Sequence, residues 1–205
     1  MIGELFIYMD TQKDLNFLFE LGTLRYVDRT WRQFLGADFA NTAEHTFRVM
    51  WIALYLAKRE GGDLNKIVPM ALMHDITETR TGDVQYMSRL YTKRDEKKAI
   101  DDMTNGLLLE DEVKVLWEEY EKRESLEARI VKDADTLDVD MELVEQSFNG
   151  NKLLETFKPQ REQVGSLLFT ESAKALWKEI YNSNPHDWHR TGTNRFTQGD
   201  WKPTK

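Results

Sequence analysis

Two histidines and two aspartates carry the strongest chemical signal in this 205-residue chain. His74 and Asp75 are adjacent, His45 lies upstream and Asp135 lies downstream, each within an apolar helical pattern. Such polar side chains are costly to bury unless they are paired or bind a metal. Two imidazoles and two carboxylates form a ligand set for a divalent metal, with positions left open for water. The four residues therefore predict a metal centre suited to metal-assisted hydrolysis.

Two further acids follow the His-Asp pair. Glu78 lies one helical turn beyond His74, where a carboxylate can face the same cavity without ligating the metal. We expect Glu78 to be a catalytic group that orients or deprotonates water, although a solvated surface glutamate is the simpler alternative. Asp83 follows a glycine and is the second catalytic candidate, as an acceptor for a substrate hydroxyl. Its alternative role is that of a turn or capping residue.

A group of cationic and aromatic residues precedes the first histidine. Arg29, Trp31 and Arg32 lie close together, and a phosphoryl substrate needs a forked positive donor near the metal. We expect Arg29 to bind phosphate, with Arg32 as the substitute, and Trp31 to lie at the edge of the substrate. The alternative is a surface salt bridge beside a packed tryptophan. The sequence does not decide between the two arginines.

Helices must position these residues, because apolar residues recur every three or four positions over most of the chain. Asn41 and Glu44 have the spacing of a capping box, which predicts the start of a helix that carries His45. Asp135 falls in a long helix without internal glycine or proline. The pattern indicates an all-α bundle of about seven or eight helices. The predicted helices include 10–24, 41–59, 63–82, 93–109, 110–123, 125–148 and 160–181.

The length favours a single domain over residues 1–181, because a chain of this size can bury one substantial core. The helical pattern breaks at 157–159, and apolar clusters at 17–19 and 107–109 are expected to belong to the core. Residues 182–205 are rich in Asn, Pro, Gly and Thr and include two tryptophans. We expect them to form an irregular C-terminal tail packed on the same domain.

Composition excludes several classes of protein. The net charge of −8 disfavours a nucleic-acid binder, which is usually basic. The chain has no cysteine, so any metal must be held by nitrogen and oxygen ligands. No signal-peptide pattern opens the sequence, and the longest apolar run, 49–57, is too short to cross a bilayer. We expect a cytoplasmic protein that does not bind membranes.

Three sequence blocks, in this order, resemble the HD-domain metal-dependent phosphohydrolases. The order of ligands, H…HD…D, is typical of that superfamily, and the resemblance covers about residues 15–148. The blocks are also similar to those of the branch that contains the HD-domain 5′-deoxynucleotidases. They read Ala43-Glu44-His45-Thr46, His74-Asp75-x-x-Glu78-x-x-Thr81-Gly82-Asp83 and Lys132-x-Ala134-Asp135-x-Leu137.

The resemblance implies a mostly helical HD fold, commonly a homodimer, with one divalent cation. In that branch the two histidines and two aspartates bind the metal, the glutamate acts on water, and the aspartate after Thr-Gly contacts the sugar. An arginine near a tryptophan upstream of the first histidine binds the phosphate. By this resemblance the metal ligands are His45, His74, Asp75 and Asp135, and the other site residues are Glu78, Asp83, Arg29 and Trp31.

The sequence thus predicts an enzyme that hydrolyses a nucleoside 5′-monophosphate, preferably a deoxynucleotide, by attack of a metal-bound water. The cation can be Mn, Co, Ni, Zn or Fe, because nitrogen and oxygen ligands suit all five. One alternative is an HD hydrolase of another phosphoester, such as a nucleoside triphosphate, a cyclic nucleotide or a pyrophosphate. Another is a non-catalytic interaction module that the metal only stabilises. The base, sugar and native metal stay open.

Overall fold

The computed structural model describes residues 11–36 and 39–198. Within these ranges the backbone is helical apart from turns, loops and one isolated antiparallel bridge between Asp28 and Asn41. The predicted helix start at residue 10 and the end of the predicted tail, 199–205, lie outside the described residues. None of the helices in the described ranges is both long and apolar enough to cross a membrane.

The predicted all-α class is confirmed. Eight of the helices in the described ranges have nine or more residues, in line with the predicted seven or eight. The other four are single turns, and two 3₁₀ helices span Gly22–Tyr26 and Ser88–Leu90. The α-helices are α1 Thr11–Leu21, α2 Arg32–Leu35, α3 Thr42–Glu60, α4 Leu64–Met73, α5 Glu78–Thr81, α6 Glu96–Thr104, α7 Glu110–Lys122, α8 Leu126–Phe148, α9 Leu153–Ser166, α10 Glu171–Asn182, α11 Asp187–Arg190 and α12 Arg195–Gln198.

The core lies where α3 and α8 pack along each other, with α4, α7 and α10 around them. Val49 and Leu56 of α3, Val131 and Leu137 of α8, and Ile67 of α4 are fully buried there. Burial of these side chains is the main favourable term that holds the helices together. The core therefore fixes the relative positions of α3 and α8, which carry two of the predicted metal ligands.

The predicted capping box begins α3 and is confirmed. The Asn41 side chain accepts a hydrogen bond from the Glu44 backbone N–H at 3.0 Å, and the Glu44 carboxylate accepts one from the Asn41 N–H at 3.1 Å. Gly61 ends the helix in the left-handed conformation, with φ of +78°. The cap sets the first turn of α3, which includes His45.

The segment after α4 differs from the continuous helix predicted over 63–82. Helix α4 ends at Met73, and residues 74–77 form tight turns before α5 begins at Glu78. Hydrogen bonds of the three-residue type close these turns, from Ile76 N to Met73 O at 3.3 Å and from Glu78 N to Asp75 O at 3.0 Å. Three residues per turn set neighbouring side chains about 120° apart, compared with about 100° in a regular helix, so the turn changes the directions of His74 and Asp75 from those of the predicted helix.

The helix predicted over 160–181 is wrong. The structure has α9 and α10 there, and α9 already begins at Leu153 and includes Pro159. The break at 167–170 is held by Asp133 of α8, whose carboxylate accepts the Phe169 and Thr170 N–H groups, both at 2.8 Å. The Thr170 side chain then caps α10. A long-range contact, and not a local sequence signal, therefore ends α9.

Two smaller expectations also need correction. Leu18 and Phe19 are largely exposed, as are Leu108 and Leu109, so the clusters at 17–19 and 107–109 are only partly core. The described part of the tail is not wholly irregular, because it contains α11 and α12. Its beginning packs on α8, where the His186 ring lies edge-on to Phe148 at 6.2 Å between ring centroids.

Glu142 ties α8 to the segment that precedes α3. It is buried, and its carboxylate accepts the Ala40 backbone N–H. Burial raises the pKa of Glu142 to about 7, and the nearby negative charge of Asp138 adds to the shift. The native protein therefore holds this proton in a pH range where the unfolded chain has lost it.

We expect Glu142→Gln to stabilise the protein above pH 7 and to change its stability little near pH 4.5. The native carboxyl binds its proton more tightly than the unfolded one, so the wild-type free energy of unfolding falls from pH 4.5 to 7 and is then level. The glutamine keeps the acceptor without the charge, and the gain is at most about 3 kcal/mol. Urea unfolding at several pH values measures it. Exposed Glu162→Gln is the control, and a Glu142→Gln gain that is the same at every pH would contradict the explanation.

Candidate metal centre

The four predicted ligands come together in one cluster. His45 Nε2 lies 3.3 Å from His74 Nε2 and 3.3 Å from Asp135 Oδ1, and Asp75 Oδ2 lies 3.1 Å from His74 Nε2 and 3.5 Å from His45 Nε2. All four ligand atoms lie within 4.8 Å of one another. The first turn of α3, the turn after α4 and the middle of α8 thus supply one site.

The spacing of these atoms fits a single cation. Nitrogen and oxygen ligands about 2.1 Å from one ion are about 3.0 Å apart at right angles and about 3.4 Å apart at tetrahedral angles. Three of the nearest distances in the cluster, 3.1 to 3.3 Å, fall in this range, and the fourth, 3.5 Å, lies just above it. Two imidazoles and two carboxylates suit first-row transition metals better than Mg²⁺ or Ca²⁺, which prefer oxygen alone. His45, His74, Asp75 and Asp135 can therefore hold a divalent metal.

The electrostatic field of the cluster also favours a cation. Burial and the Arg29 charge act to lower the pKa of His45, yet contacts with Asp135, Asp138 and Asp75 raise it well above the usual value. Conversely, although burial would raise the pKa of Asp75, the His74 ring and a hydrogen bond from His45 hold it well below the usual value. The same negative potential that attracts a proton to His45 attracts a metal ion.

Hydrogen bonds at the far nitrogens orient both histidines. His45 Nδ1 lies 2.5 Å from Asp138 Oδ2, and His74 Nδ1 lies 2.7 Å from the Ala71 carbonyl oxygen. Because both partners are acceptors, each ring donates from Nδ1 and directs the lone pair of Nε2 into the cluster. The Arg48 guanidinium in turn donates to Asp138. The two histidines thus differ in the acceptor at Nδ1, which is a carboxylate for His45 and a backbone carbonyl for His74.

Arg29 lies beside the ligands and Arg32 does not. The Arg29 guanidinium is buried, with Nη1 at 3.2 Å from Asp75 Oδ2 and Nη2 at 3.8 Å from Asp135 Oδ1. Burial opposes its charge, but these aspartates outweigh burial and raise its pKa. Arg32 pairs at 2.5 Å with Asp28 on the surface, where about half of its side chain is exposed. The structure therefore brings only Arg29 of the two to the cluster.

Glu78 is buried next to the ligands. Its Oε2 accepts a hydrogen bond from the Thr42 hydroxyl at 3.1 Å, and its Oε1 lies 3.4 Å from Arg94 Nη1. Burial, reinforced by the charges of Asp75 and Asp83, raises the pKa of Glu78 to about 8. A cation held by Asp75 would neutralise part of that charge and lower the pKa. The surface-glutamate alternative does not fit this environment.

Asp83 and Trp31 lie on either side of the loop that carries Arg29. Asp83 Oδ2 accepts hydrogen bonds from the Thr30 N–H at 2.9 Å and the Thr30 hydroxyl at 3.0 Å, and it lies 3.9 Å from Arg29 Nε. Asp83 therefore holds the loop against the turn after α5. The Trp31 ring packs edge-on against Phe157, with 5.2 Å between ring centroids.

The cluster borders two chambers. The aromatic chamber has a volume of about 310 Å³ and is lined by the rings of Trp31, Phe34 and Tyr86, with Val139 and Arg161 opposite. Its size is at the lower end of the range for small-molecule sites. Phe34 and Tyr86 are stacked at 5.5 Å between centroids. Aromatic walls of this kind suit a flat ring such as a nucleobase.

The polar chamber adjoins the aromatic chamber and has a volume of about 240 Å³. His74, Asp75, Glu78, Arg94 and Arg123 line it, and the aromatic chamber touches none of them. The wall between the chambers consists of five charged residues that border both, Arg29, Asp83, Arg89, Lys132 and Asp135.

Several residues of the site were not singled out from the sequence. Thr42, Lys132 and Asp138 each lie three residues from a predicted ligand on the same helix, and that spacing could have identified them. Thr42 donates to Glu78, and Lys132 Nζ donates to Asp135 Oδ2 at 2.7 Å. Arg94 had no comparable signal, because it reaches Glu78 from the segment before α6.

The sequence profile of the HD domain family matches residues 21–177. The chain belongs to the HD domain family. It is 31% identical over 160 residues to 5′-deoxynucleotidase HDDC2 of Dictyostelium discoideum, covering 71% of this chain and 84% of that protein. The HDDC2 protein of Bos taurus is 33% identical over 145 residues, covering 67% and 70%. These similarities confirm the predicted 5′-deoxynucleotidase-like branch.

Solved structures have the same fold. A conserved hypothetical protein from Pyrococcus furiosus superposes with a TM-score of 0.70 at 26% identity, covering 82% of this chain and 99% of that chain. A predicted metal-dependent phosphohydrolase from Magnetospirillum magnetotacticum gives a TM-score of 0.69 at 22% identity, covering 89% and 95%, and shows the likeness of fold alone.

We expect Asp138→Asn to weaken metal binding by about 10- to 100-fold, because the amide keeps the shape but loses the charge that backs His45. Calorimetric titration of the metal-free protein with Mn²⁺ or Co²⁺ measures the affinity. Asp133→Asn is the matched control, since Asp133 is buried on the same helix but faces Thr170. Unchanged affinity in a folded Asp138→Asn protein would show that the hydrogen bond does not support the ligand.

Proposed function

We propose that this protein is a metal-dependent phosphohydrolase that converts deoxynucleoside 5′-monophosphates to a nucleoside and inorganic phosphate. One observation carries the proposal: a four-residue cluster that could hold a metal lies beside a buried arginine, and Arg29 and Asp135 border both an aromatic and a polar chamber. The relatives named 5′-deoxynucleotidase, about 30% identical, support the substrate class.

A divalent cation held by His45, His74, Asp75 and Asp135 would lower the pKa of water and offset charge on the phosphoryl oxygens. Arg29 acts on the same group from the protein side. Its contacts with Asp75 and Asp135 place a forked donor beside the ligands, and a guanidinium fork matches two phosphoryl oxygens. Its burial strengthens that interaction, because little water competes for the donors.

The two chambers give the reaction a direction. Displacement at phosphorus requires the attacking water and the leaving oxygen to lie roughly in line, on opposite sides of the phosphoryl group. With the nucleoside in the aromatic chamber, the leaving oxygen faces that chamber and the water must come from the polar chamber. Glu78 borders only the polar chamber. Glu78 therefore orients this water and accepts its proton.

Asp83 and Trp31 position the nucleoside relative to the phosphoryl group. Asp83 stands in the wall between the chambers and is fixed by Thr30, so a carboxylate oxygen is available to a sugar hydroxyl beside the phosphate. Trp31 lines the aromatic chamber and packs against the sugar side of the substrate. These contacts position the ester bond between Arg29 and Glu78, which is the main requirement for rapid reaction.

Larger phosphoesters are the second candidate, because the structure provides more cations than the sequence indicated. Arg89, Arg94, Arg123 and Lys132 line the polar chamber in addition to Arg29. Each already contacts an acidic side chain: Arg89 contacts Asp83, Arg94 contacts Glu78, Arg123 contacts Glu121 and Lys132 contacts Asp135. This pairing favours a monophosphate, and triphosphates and cyclic nucleotides belong in the same substrate panel.

We also propose that the protein forms a homodimer through the outer face of α3. Phe47, Trp51 and Tyr55, spaced by four residues, form one apolar stripe, and Phe47 and Trp51 are each 62% exposed. Leu72 of α4 is also half exposed. Apolar patches of this kind mark interaction surfaces.

The net charge of −8 supports a small nucleotide over a nucleic acid as ligand, and the cytoplasmic location stays a prediction.

We expect Glu78→Gln to lower kcat for deoxynucleoside monophosphates by about 10²- to 10⁴-fold while metal is retained, because Glu78 lies outside the ligand cluster. Asp135→Ala should lose both metal and turnover. Phosphate release is assayed with deoxy- and ribonucleoside monophosphates and each candidate cation, and bound metal by mass spectrometry. Surface variant Glu118→Gln is the control. A wild-type protein that hydrolyses no substrate but melts at a lower temperature on chelation would be a metal-stabilised module.

For the dimer, Trp51→Glu should give a monomer in sedimentation equilibrium, because it buries a charge in the apolar stripe. Lys158→Glu, an exposed change on α9 and away from this face of α3, should leave the dimer intact. A monomeric wild-type protein at micromolar concentration would contradict the assignment.

A further inference from the structure

Arg161 lines the aromatic chamber from α9. Helix α8 lines the chamber from Lys132 through Asp135 and Thr136 to Val139, and the stretch from Asp135 to Val139 is about 6 Å, or one turn, long. Helix α9 contributes Arg161 and Val164, and Arg161 contacts α8 beyond Asp135, at Thr136 and Asp140. A nucleoside whose phosphate lies at Asp135 therefore extends its base toward α9.

Arg161 differs from every other charged residue that borders this chamber in the described ranges. The other five also border the polar chamber, so they belong to the end that holds the phosphate. Arg161 borders the aromatic chamber alone. Gln85 is also nearby, but its amide is engaged with Ser88 and the Met87 backbone. Arg161 is therefore the charged group placed to meet the base.

The guanidinium of Arg161 is held rigidly. Its Nε and Nη2 donate to the two carboxylate oxygens of Asp140, each at 2.7 Å, and Nη2 also donates to the Thr136 carbonyl at 3.1 Å. Asp140 is fully buried and accepts a further hydrogen bond from the Tyr181 hydroxyl at 2.7 Å. A fork fixed by a bidentate pair cannot reorient to suit different ligands.

The Tyr181 hydroxyl also interacts with this guanidinium, and the N–H groups on Nη1 are the donors that Asp140 and Thr136 leave over. A guanidinium has five N–H donors and no acceptor. It can therefore bind a carbonyl oxygen of a base, as arginine does with guanine O6 and N7, but it cannot satisfy an exocyclic amino group. An amino group set against these donors would leave buried polar groups unpaired.

We infer that Arg161 determines base specificity and selects bases with a carbonyl oxygen at this edge over bases with an amino group. The preferred substrates are then deoxynucleotides of hypoxanthine or guanine over those of adenine. The inference rests on the proposed function for the placement of the phosphate. It adds a residue of α9, beyond the sequence blocks that resemble the family.

The test compares deoxyinosine and deoxyadenosine 5′-monophosphates, which differ in an oxygen or an amino group at one ring carbon. The wild-type ratio of kcat/KM should favour the inosine nucleotide by about tenfold or more. In the double variant Arg161→Gln/Asp140→Asn, which removes both buried charges together, the ratio should fall to within about twofold of unity. Arg161→Lys, which keeps the charge without the fork, should reduce it. Lys158→Gln, an exposed change on α9, is the control, and thermal unfolding verifies that each variant is folded.

The free nucleosides deoxyinosine and deoxyadenosine, which carry the same two bases, are also compared by equilibrium binding, which does not depend on turnover. Equal affinities of the wild-type protein for deoxyinosine and deoxyadenosine would overturn the inference. A preference that persists unchanged in the folded double variant would also overturn it. A binding preference that depends on Arg161, in a protein that releases no phosphate from any monophosphate, would leave the inference standing and remove the proposed function.

Discussion

The structure depends on a concentration of negative charge inside a helical core. Asp75, Asp135, Asp138 and Glu78 surround two imidazole rings where α3, α8 and the turn after α4 meet. Buried carboxylates repel one another and lose hydration, so they persist only where cations or donors compensate them. Arg29 supplies part of the compensation, and a metal cation held by the cluster would supply more. A cation-binding role would explain why so costly a cluster lies in an apolar bundle.

Helix α8 organises the surroundings of the cluster through five acidic residues that point to different partners. Asp135 belongs to the cluster that could hold a metal, and Asp138 orients His45. The other three anchor neighbouring segments through backbone N–H groups or Arg161. Because each carboxylate has its own donor, the helix can be buried on several sides at once. The five residues are Asp133, Asp135, Asp138, Asp140 and Glu142.

The division into two chambers gives the site its chemistry. Aromatic rings line one chamber and charged groups line the other, and Asp135 of the ligand cluster borders both. A substrate with a flat ring at one end and a phosphoryl group at the other matches this polarity. Members of the family with the same ligands can then differ in substrate through the segments that close the aromatic chamber, including α9, without change to the metal centre.

The sequence by itself predicted the four residues that cluster, the helical class and the start of α3, because these depend on residue type and on spacing within one helix. His45, His74, Asp75 and Asp135 were identified in this way, and so was the capping box at Asn41. Local spacing also carried unused information on Asp138 and Thr42, which lie on the same faces as the ligands.

Only the tertiary structure decided what depends on contacts between distant segments. It brought Arg29 and not Arg32 to the ligands, placed Glu78 in the polar chamber alone, and held the segment before α10 through Asp133. Arg161 likewise gains its position from Asp140 and Thr136. A pattern of hydrophobic periodicity records which face of a helix is buried, but it does not record which helix lies against that face. That choice is made by packing of the whole core.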